Sequence, residues 1–497
     1  MRAPTHPTSP TSQLALMGLD SAVFDEAGRM FCASHSVTER RHLGATFTPE
    51  WLVRLMLTRC AALAQVDVVV DPGCGSGRFG LVAGAVWPRA TVVGVEVQPE
   101  LAALARAAWR QAGLGARARV EARDFLDVER PSEAGCIAFV GNPPYVRHHQ
   151  VEDRHKAWYQ SAMAALGIRA SALAGLHAHF LLKTALLARP GDSFCFVLPA
   201  EWLDTRYGQA VRSLLASERL AVSEMWLADR ARPVFDDAMT SSIVVAGIVG
   251  GVSDTVTLGT LAPDGLGESR VLPRQRLLDA PRWSPLWHAD DADSDLHGVE
   301  VGDVFSVRRG QVTGANGVWI HGVGYAHALP AAVLRPAITR ARELLALAAP
   351  VIEDADALKR VIELPEDWEA VHHGRAADQI AAFLHWAREH GGQDGYIARH
   401  RRPWYRVNLG SPAPIVMTYM ARRAPRFVLN RAGVGILNIA HGLYPRAALT
   451  ERQLMRAVEA LNLASSIRAG RSYAGNLVKF EPSDAMRMRF AWCMGPS

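Results

Sequence analysis

The chain has 497 residues, of which 49% are hydrophobic and 21% are charged, and this composition is average for a globular protein. Because the chain is too long for one ordinary core, two domains are expected. Its longest apolar run, residues 243–252, is about half of the roughly 18 residues that a membrane span needs, which argues against a membrane protein. The six cysteines lack the CxxC spacing of zinc and redox sites, so free thiols, no metal and a cytoplasmic location are expected.

Four segments are expected along the chain. Residues 1–40 begin with a stretch rich in Pro, Thr and Ser that lacks the order of a secretory signal, and they are predicted to form a tail and a short extension. Residues 41–255 are expected to form one domain and residues 256–300 a connection that contains one hairpin. Residues 301–497 are expected to form a second domain of short strands, Gly-rich turns and two helices.

Short apolar runs alternate with helical patterns in the first domain. The predicted strands cover residues 66–70, 91–97, 118–122, 136–140, 193–198, 223–227 and 242–249, and the predicted helices cover residues 101–112, 177–188 and 207–217. This alternation predicts the α/β class, with a parallel, doubly wound, Rossmann-like sheet. Such sheets bind their ligands at the carboxyl ends of the strands.

A glycine-rich turn follows the first predicted strand. Asp71 directly follows the strand, the turn contains Gly73, Gly75 and Gly77, and a helix follows. Glycines let the backbone approach a ligand closely and adopt angles that a Cβ forbids. Turns of this kind also serve dinucleotide enzymes, so the motif alone does not choose the cofactor.

Two carboxylates at the ends of the next strands favour S-adenosylmethionine over NAD. Glu96 ends the second predicted strand, where it can accept hydrogen bonds from both ribose hydroxyls. Asp124 ends the third, where it can accept from an adenine amino group while Phe125 packs on the ring. Each carboxylate alone is more often a surface group that caps the next element, but their position at successive strand ends favours a cofactor site.

The sequence Asn142-Pro143-Pro144-Tyr145 follows the fourth predicted strand, and we call these residues the NPPY loop. Two prolines remove two backbone donors and stiffen the loop, which leaves carbonyl oxygens available as acceptors. The Asn142 carboxamide oxygen and the Pro143 carbonyl can together accept both protons of an exocyclic amine, and Tyr145 offers a flat surface to a planar group. The loop is therefore predicted to hold an amino group attached to an aromatic ring or an amide.

These motifs, in this order, resemble those of the gamma-class N6-adenine DNA methyltransferases, the group that includes the TaqI methyltransferase and the Eco57I-like modification methylases. Three further segments are similar to family motifs: Thr48 and Pro49 match an N-terminal cofactor-contact motif, Phe180 matches an aromatic near the cofactor, and Phe235 matches the aromatic that flanks the target base opposite Tyr145. The resemblance implies a class I S-adenosylmethionine-dependent methyltransferase sheet followed by a mixed α+β target-recognition domain.

The resemblance also implies a reaction. A flipped-out adenine would be held by the NPPY loop, and a methyl group would pass directly to its N6 atom without a covalent enzyme intermediate or a metal. No nuclease segment is recognisable, so a restriction endonuclease, if the protein belongs to a restriction-modification system, is expected to be encoded separately. The protein is expected to act as a monomer.

Basic residues concentrate in the C-terminal part. Residues 301–497 contain 25 Lys and Arg against 16 Asp and Glu, and residues 395–450 contain no acidic residue. Arginines without counter-charges are typical of a surface that binds a polyanion, although acidic partners elsewhere in the fold would account for them equally well. The arginines expected to contact double-stranded DNA are Arg309, Arg401, Arg402, Arg422, Arg423 and Arg426.

Three alternatives remain open. RNA adenine methyltransferases would use the same pocket with a different recognition domain, and release-factor glutamine methyltransferases use a similar loop on a side-chain amide but are shorter and lack a large basic domain. A DNA-binding subunit that only senses the cofactor is the third, and the intact NPPY loop argues against it. The target sequence cannot be read from these residues.

Overall fold

The computed structural model describes residues 28–29, 31, 33–35, 47–61, 65–131, 135–229, 232, 234–235, 241–287, 298–465, 470–472 and 478–492. The chain divides into two compact units, with the described residues up to 287 in the first and those from 298 to 472 in the second, together with 478–492. The expected tail and extension lie mostly outside the described residues. Among the described helices, none has the length and apolar character that crossing a membrane requires.

The first unit contains a sheet to which the described residues contribute nine strands. They are β1 Val68–Pro72, β2 Thr91–Val95, β3 Ala118–Glu121, β4 Ile137–Gly141, β5 Ser193–Pro199, β6 Val222–Ala228, β7 Ser242–Ile248, β8 Thr255–Ala262 and β9 Gly265–Pro273. Their spatial order is β3-β2-β1-β4-β5-β7-β6-β8-β9.

The sheet is mixed, whereas a parallel sheet was expected. Strands β1 to β5 pair in parallel, as predicted, but β7 lies between β5 and β6 and is antiparallel to both. An apolar run carries no information about strand direction, so the sequence pattern could not distinguish the two cases. The α/β class and the Rossmann-like half of the sheet are confirmed.

Helices cover both faces of this sheet. The helices of the first unit are α1 Glu50–Ala61, α2 Arg78–Val86, α3 Pro99–Gln111, α4 Asp153–Ala165, α5 Leu176–Leu187, α6 Gly208–Ala216 and α7 Gln275–Asp279. Alternate residues of β1 point to opposite faces: Val69 joins the core formed with α1 to α3, and Val70 joins the core formed with α4 to α6. The site at the strand ends is thus supported by two apolar cores.

Short 3-10 turns complete the first unit. They cover Gly115–Arg117, Phe125–Asp127, His148–Gln150, Ala200–Leu203, Glu218–Leu220 and Ser284–Trp287.

The first sheet extends further along the chain than the sequence suggested. Strands β8 and β9 form an antiparallel hairpin, and β8 pairs in parallel with β6, within the segment expected to be a connection. Val256 and Leu258 are each 1% exposed because they continue one of the two cores. The hairpin expected there is present, but it belongs to the sheet rather than to a linker.

The second unit is a mixed α+β structure. Its described strands are β10 Val299–Glu300, β11 Phe305–Arg309, β12 Leu334–Ile338, β13 Val351–Ile352, β14 Arg360–Ile362, β15 Ile415–Thr418, β16 Met420–Ala421, β17 Phe427–Asn430, β18 Gly435–Ile436, β19 Ala440–Pro445, β20 Arg471–Ser472, β21 Val478–Lys479 and β22 Arg489–Phe490. Its described helices are α8 Val301–Val304, α9 Asn316–Trp319, α10 Ala341–Leu345, α11 Trp368–Val371, α12 Arg375–Glu389, α13 Tyr396–Arg399, α14 Glu451–Ala464 and α15 Pro482–Met486, with a 3-10 turn at Ala331–Val333. The largest sheet among the described residues of this unit has the order β11-β19-β15-β17-β13.

Candidate active site

The glycine-rich turn between β1 and α2 adopts a backbone that requires glycine. Gly73, Gly75 and Gly77 all have positive φ, at 70°, 54° and 84°. A Cβ on Gly77 would lie 2.5 Å from Nε1 of Trp109, which donates a hydrogen bond of 2.7 Å to the Gly77 carbonyl. At Gly75 no atom of the described residues lies within 4 Å of the Cβ position, so that side of the turn is open among them.

Glu96 follows β2 and is fixed by the glycine-rich turn. Its Oε2 accepts from the Gly75 amide and its Oε1 from the Gln98 amide, both at 2.9 Å. The side chain is buried, and burial raises the pKa of Glu96 while these backbone hydrogen bonds lower it in part. The carboxylate is therefore held in one orientation with lone pairs left for a ligand.

Asp124 follows β3 and is held in a similar way. Its Oδ1 accepts from the Leu126 amide at 2.9 Å, and its Oδ2 lies 3.4 Å from Nε2 of His155 on α4. Phe125 is buried beside it and meets Phe180 of α5 with ring centroids 5.1 Å apart. A polar acceptor and two aromatic rings therefore lie together at the end of β3.

A cavity of about 150 Å³ connects these groups. Predicted cofactor residues on its wall are Thr48, Gly73, Gly75, Glu96, Asp124, Phe125, Asn142 and Phe180. Three others lie outside the wall: Pro49 precedes α1, Gly77 supports the turn, and Asp71 is buried behind it. Pro144 of the NPPY loop also lines the cavity, so the loop and the glycine-rich turn share one space.

Asp71 is the most unusual carboxylate of the site. It is 1% exposed, and no described residue donates a hydrogen bond to either of its carboxylate oxygens. Burial, and to a lesser degree the charge of Glu96, raises the pKa of Asp71 well above its ordinary value. A Cβ on Gly141 would meet Asp71 Oδ1 at 2.8 Å, which places the carboxylate directly beneath the start of the NPPY loop.

The NPPY loop follows β4 and is tied to the cavity wall. Asn142 Nδ2 donates to Thr48 Oγ1 at 3.1 Å, which fixes the plane of the carboxamide. Among the described residues, none donates a backbone hydrogen bond to the Pro143 carbonyl. A Cβ on Gly73 would be 3.4 Å from Pro144 Cδ, so the loop lies against the glycine-rich turn.

Tyr145 and Phe235 lie beside each other in an edge-to-face arrangement. Their ring centroids are 6.4 Å apart and their planes meet at 76°. Tyr145 is partly exposed, while its hydroxyl is buried, and burial raises the pKa of that hydroxyl above its ordinary value. The two aromatics that the resemblance assigns to the target base thus lie close to each other, and their role stays a prediction.

Sequence reasoning missed two side chains of the site, His155 and Arg78. His155 reaches Asp124 from α4, a helix with too few buried residues to give a clear periodic signal. Arg78 Nη1 donates to the Thr48 carbonyl at 2.8 Å, and its guanidinium lies 5.5 Å from the Phe47 ring centroid. The sequence signal that could have indicated Arg78 is its position directly after Gly77, the last glycine of the glycine-rich turn.

The arginines of the second unit have different surroundings. Arg309 forms an ion pair of 2.6 Å with Glu481. Arg423 and Arg426 donate to the Leu345 carbonyl at 3.2 and 3.1 Å. Arg309 and Arg423 are nevertheless exposed, whereas Arg426 is half-buried.

The remaining predicted arginines lie in two places. Arg401 is half-buried and donates to the Val312 carbonyl, whereas Arg402 is exposed and donates only to the carbonyls of Arg399 and Arg401. Arg422 is exposed. Of the six predicted arginines, only Arg401 and Arg426 are half-buried, and the other four are exposed.

Known proteins resemble both units. Residues 119–226 match the family model described as "Eco57I restriction-modification methylase", and residues 289–494 match "Type II methyltransferase M.Eco57I, C-terminal domain". The chain is 43% identical over 450 residues to the type II methyltransferase M.XamI of Xanthomonas campestris pv. amaranthicola, covering 90% of this chain and 84% of that one.

The chain also matches more distant proteins along most of its length. The type II methyltransferase M.AccI of Acinetobacter calcoaceticus is 20% identical over 478 residues, covering 92% of this chain and 86% of that one. Among solved structures, the type IIL restriction-modification enzyme MmeI in complex with DNA matches 98% of this chain and 67% of its own, with a TM-score of 0.52 and 13% identity. At that identity, the likeness to MmeI concerns the fold alone.

Proposed function

The chain belongs to the Eco57I-like restriction-modification methylases, a family of type II DNA methyltransferases, and from this premise we propose that it methylates N6 of an adenine flipped out of duplex DNA, using S-adenosylmethionine. One observation carries the proposal: the NPPY loop is joined to the cavity of Glu96 and Asp124 by the Asn142–Thr48 hydrogen bond. An amine held by the loop would lie next to a nucleoside held by the cavity.

The residues present fit S-adenosylmethionine. Glu96 offers a fixed acceptor to ribose hydroxyls, Asp124 offers one to an adenine amino group, and Gly75 leaves open space on its Cβ side. Buried and unpartnered among the described residues, Asp71 would favour a nearby positive charge. When bound, S-adenosylmethionine supplies a methyl group activated by a sulfonium.

The NPPY loop would orient the amine. The lone pair of an adenine amine is delocalised into the ring, so the amine is a poor nucleophile unless its geometry changes. Asn142 and Pro143 would each accept a hydrogen bond from one of its two N–H groups and draw the amine toward sp³ geometry. The Thr48 hydrogen bond already orients the Asn142 carboxamide, and no described backbone amide donates to the Pro143 carbonyl, so the loop holds both groups in place before the amine arrives.

The aromatic pair would receive the base. Extrusion from the duplex costs a few kcal/mol, and stacking on Tyr145 would offset part of it. A planar base between two parallel rings needs about 7 Å, twice the roughly 3.5 Å contact distance between carbon atoms. Tyr145 and Phe235 are 6.4 Å apart and nearly perpendicular, so stacking on Tyr145 with an edge contact to Phe235 fits better than a sandwich.

The remaining assignments belong to the same proposal. We assign residues 41–255, extended by the β8-β9 hairpin, to catalysis, and residues 301–497 to target recognition. Duplex DNA is the proposed substrate, a separately encoded restriction endonuclease the proposed partner, and a monomer the proposed active form. Exposed arginines of the second unit would supply the contacts with DNA phosphates.

The test is methylation in vitro. The purified protein is incubated with S-adenosylmethionine and DNA from a methylation-free host, and the digested nucleosides are identified by mass spectrometry. We expect N6-methyladenine, located at one sequence by single-molecule sequencing. Methylation of RNA or of a protein glutamine instead, or of no substrate, would overturn the proposal.

Substitutions at the loop test the assigned roles. Tyr145→Ala should lower kcat/KM by about 10- to 100-fold, as expected for the loss of one base–aromatic contact, with cofactor affinity retained. The control, Tyr145→Phe, keeps the ring and should remain active. Asp124→Ala should weaken cofactor binding more than it slows methyl transfer. If Asn142→Ala methylates DNA as well as the wild type does, the proposed hydrogen bond from the amine to Asn142 is wrong.

A further inference from the structure

The turn formed by residues 395–402, which we call the recognition turn, carries an unusual set of exposed side chains in the second unit. It contains the short helix α13 and reads GYIARHRR. Tyr396 is 75% exposed, and its ring meets that of His400 with centroids 4.1 Å apart. An aromatic that is exposed to this extent, yet supported by a second ring, presents a flat apolar surface outward.

Two arginines of this turn have no counter-charge. Arg399 and Arg402 are exposed and form no ion pair with any described carboxylate, and Arg402 donates only to backbone carbonyls. Arg406, which also lies in the acid-free residues 395–450, differs from them because it pairs with Glu366 at 2.8 Å. Acidic residues from other segments thus compensate Arg406, but not the two arginines of the turn.

The recognition turn is anchored to the rest of the second unit. Arg401 donates to the Val312 carbonyl. Gly314 has φ of 84°, and a Cβ there would lie 3.3 Å from the Ile397 Cβ, so the close approach depends on glycine. Beyond the turn, Trp404 packs on Trp319 with ring centroids 6.0 Å apart. A turn held in this way can present charges without a large loss of conformational entropy on binding.

From this arrangement we propose that the recognition turn is a principal DNA contact of the second unit, with Arg399 and Arg402 on backbone phosphates and Tyr396 against a sugar or base. The inference rests on the proposed function, because it takes duplex DNA as the partner. It differs from the sequence expectation, which treated six arginines alike. Arg309 is paired with Glu481 and Arg426 is half-buried, so each should contribute less.

Salt dependence of binding tests the phosphate contacts. The full-length protein is titrated with a fluorescent duplex that contains the sequence at which the protein methylates DNA. The titration is repeated at several KCl concentrations in the presence of S-adenosylhomocysteine, the demethylated cofactor. Each phosphate contact adds about 0.9 to the slope of log affinity against log salt. Arg399→Gln and Arg402→Gln should each lower the slope by about 1, and the double variant by about 2.

Arg431→Gln is the matched control. It removes the same charge from the same unit, but Arg431 is paired with Glu353 and Glu451, so its slope should match that of the wild type. Tyr396→Ala should weaken binding by about 10-fold with no change of slope, whereas Tyr396→Phe should bind normally. Melting temperature and cofactor affinity should be unchanged in all variants, which separates a lost contact from a damaged fold.

The outcomes separate this inference from the proposed function. If the wild type methylates and binds the duplex while the double variant keeps the full slope, the recognition turn is not a phosphate contact and the inference fails. The inference also fails if Arg431→Gln lowers the slope as much as Arg399→Gln, since net charge alone would then account for the effect. If the wild type neither methylates nor binds DNA, the proposed function itself fails.

Discussion

Replacing Asp71 with Asn should stabilise the fold and weaken cofactor binding at the same time. Asp71 ends β1, is 1% exposed and accepts no hydrogen bond from any described residue. Burial, with a smaller contribution from the Glu96 charge, raises the pKa of Asp71 well above its ordinary value. Asn has nearly the same shape and no charge at any pH, so the substitution removes the penalty without leaving a cavity.

The size of the effect has an upper limit. A carboxyl that cannot ionise in the fold stays protonated, and at pH 7 this costs about 4 kcal/mol, at about 1.4 kcal/mol for each pH unit above an ordinary pKa near 3.9. A neutral carboxyl and a neutral amide lose similar hydration on burial. We therefore expect Asp71→Asn to raise the free energy of unfolding by about 1–4 kcal/mol at pH 7.

The pH dependence gives the sign of the effect. The pKa of Asp71 is higher in the folded state than in the unfolded state. Below the unfolded-state pKa, the carboxyl is protonated in both states and burial costs no folding stability. As the pH rises from that value toward the folded-state pKa, the wild type loses stability. The advantage of Asp71→Asn should accordingly be small near pH 4 and larger at pH 8, as measured by urea denaturation of both proteins. If the wild type at pH 8 is as stable as Asp71→Asn, or more stable, the reasoning is refuted.

Cofactor binding should change in the opposite direction. If the Asp71 carboxylate is matched to the positive charge of S-adenosylmethionine, the neutral amide should weaken binding by about 10- to 100-fold, the range of one interaction with a charged group. Isothermal titration calorimetry of the two proteins measures this directly. Equal affinities would mean that the charge of Asp71 does not contribute to cofactor binding.

Three further changes test other parts of the structure. Gly77→Ala should destabilise the protein by more than about 2 kcal/mol, because its Cβ would collide with Trp109. The control, Gly113→Ala, has φ of 72° and no neighbouring atom at the Cβ position among the described residues, so it should cost only about 1 kcal/mol of backbone strain. Equal losses of stability in thermal melts would contradict this. Burial lowers the pKa of His177 to about 3, so stability should fall as the pH drops below 6.5, and His177→Gln should flatten that decline in acid denaturation curves. Burial raises the pKa of Glu96, so binding of a cationic cofactor should release protons and strengthen as the pH rises; a calorimetric enthalpy that is independent of the buffer would argue against it.

The strands could be predicted from the sequence because most of them are buried on both faces. Strand β5 is buried at all seven positions, and a continuous apolar run of that length between turn signals is typical of a strand covered on both sides. Helix α4 was missed because only Tyr159 and Met163 among its residues are buried, which gives no periodic pattern. The direction of β7 could not be predicted either, because it depends on which strands it joins.

The composition of the site was predictable, but its bonding was not. Parallel strands end at one edge of a sheet, so Glu96, Asp124 and Asn142 could be placed together from their positions after successive strands. The hydrogen bond from Asn142 to Thr48 joins residues 94 positions apart, and no local pattern encodes it. The same holds for Arg309 and Arg426, whose partners lie in distant segments.

The two buried carboxylates at the strand ends are treated differently by the fold, and this difference suits two tasks. Glu96 accepts two backbone amides, which favour its ionised form and fix its direction, as a group that must receive hydroxyl protons requires. Asp71 has no described donor and lies near the Glu96 charge, so its ionisation depends on what positive charge arrives. The protonation state of Asp71 should therefore respond more strongly to a bound cation than that of Glu96. The apolar cores on both faces of the sheet supply the stability that offsets burying this pair.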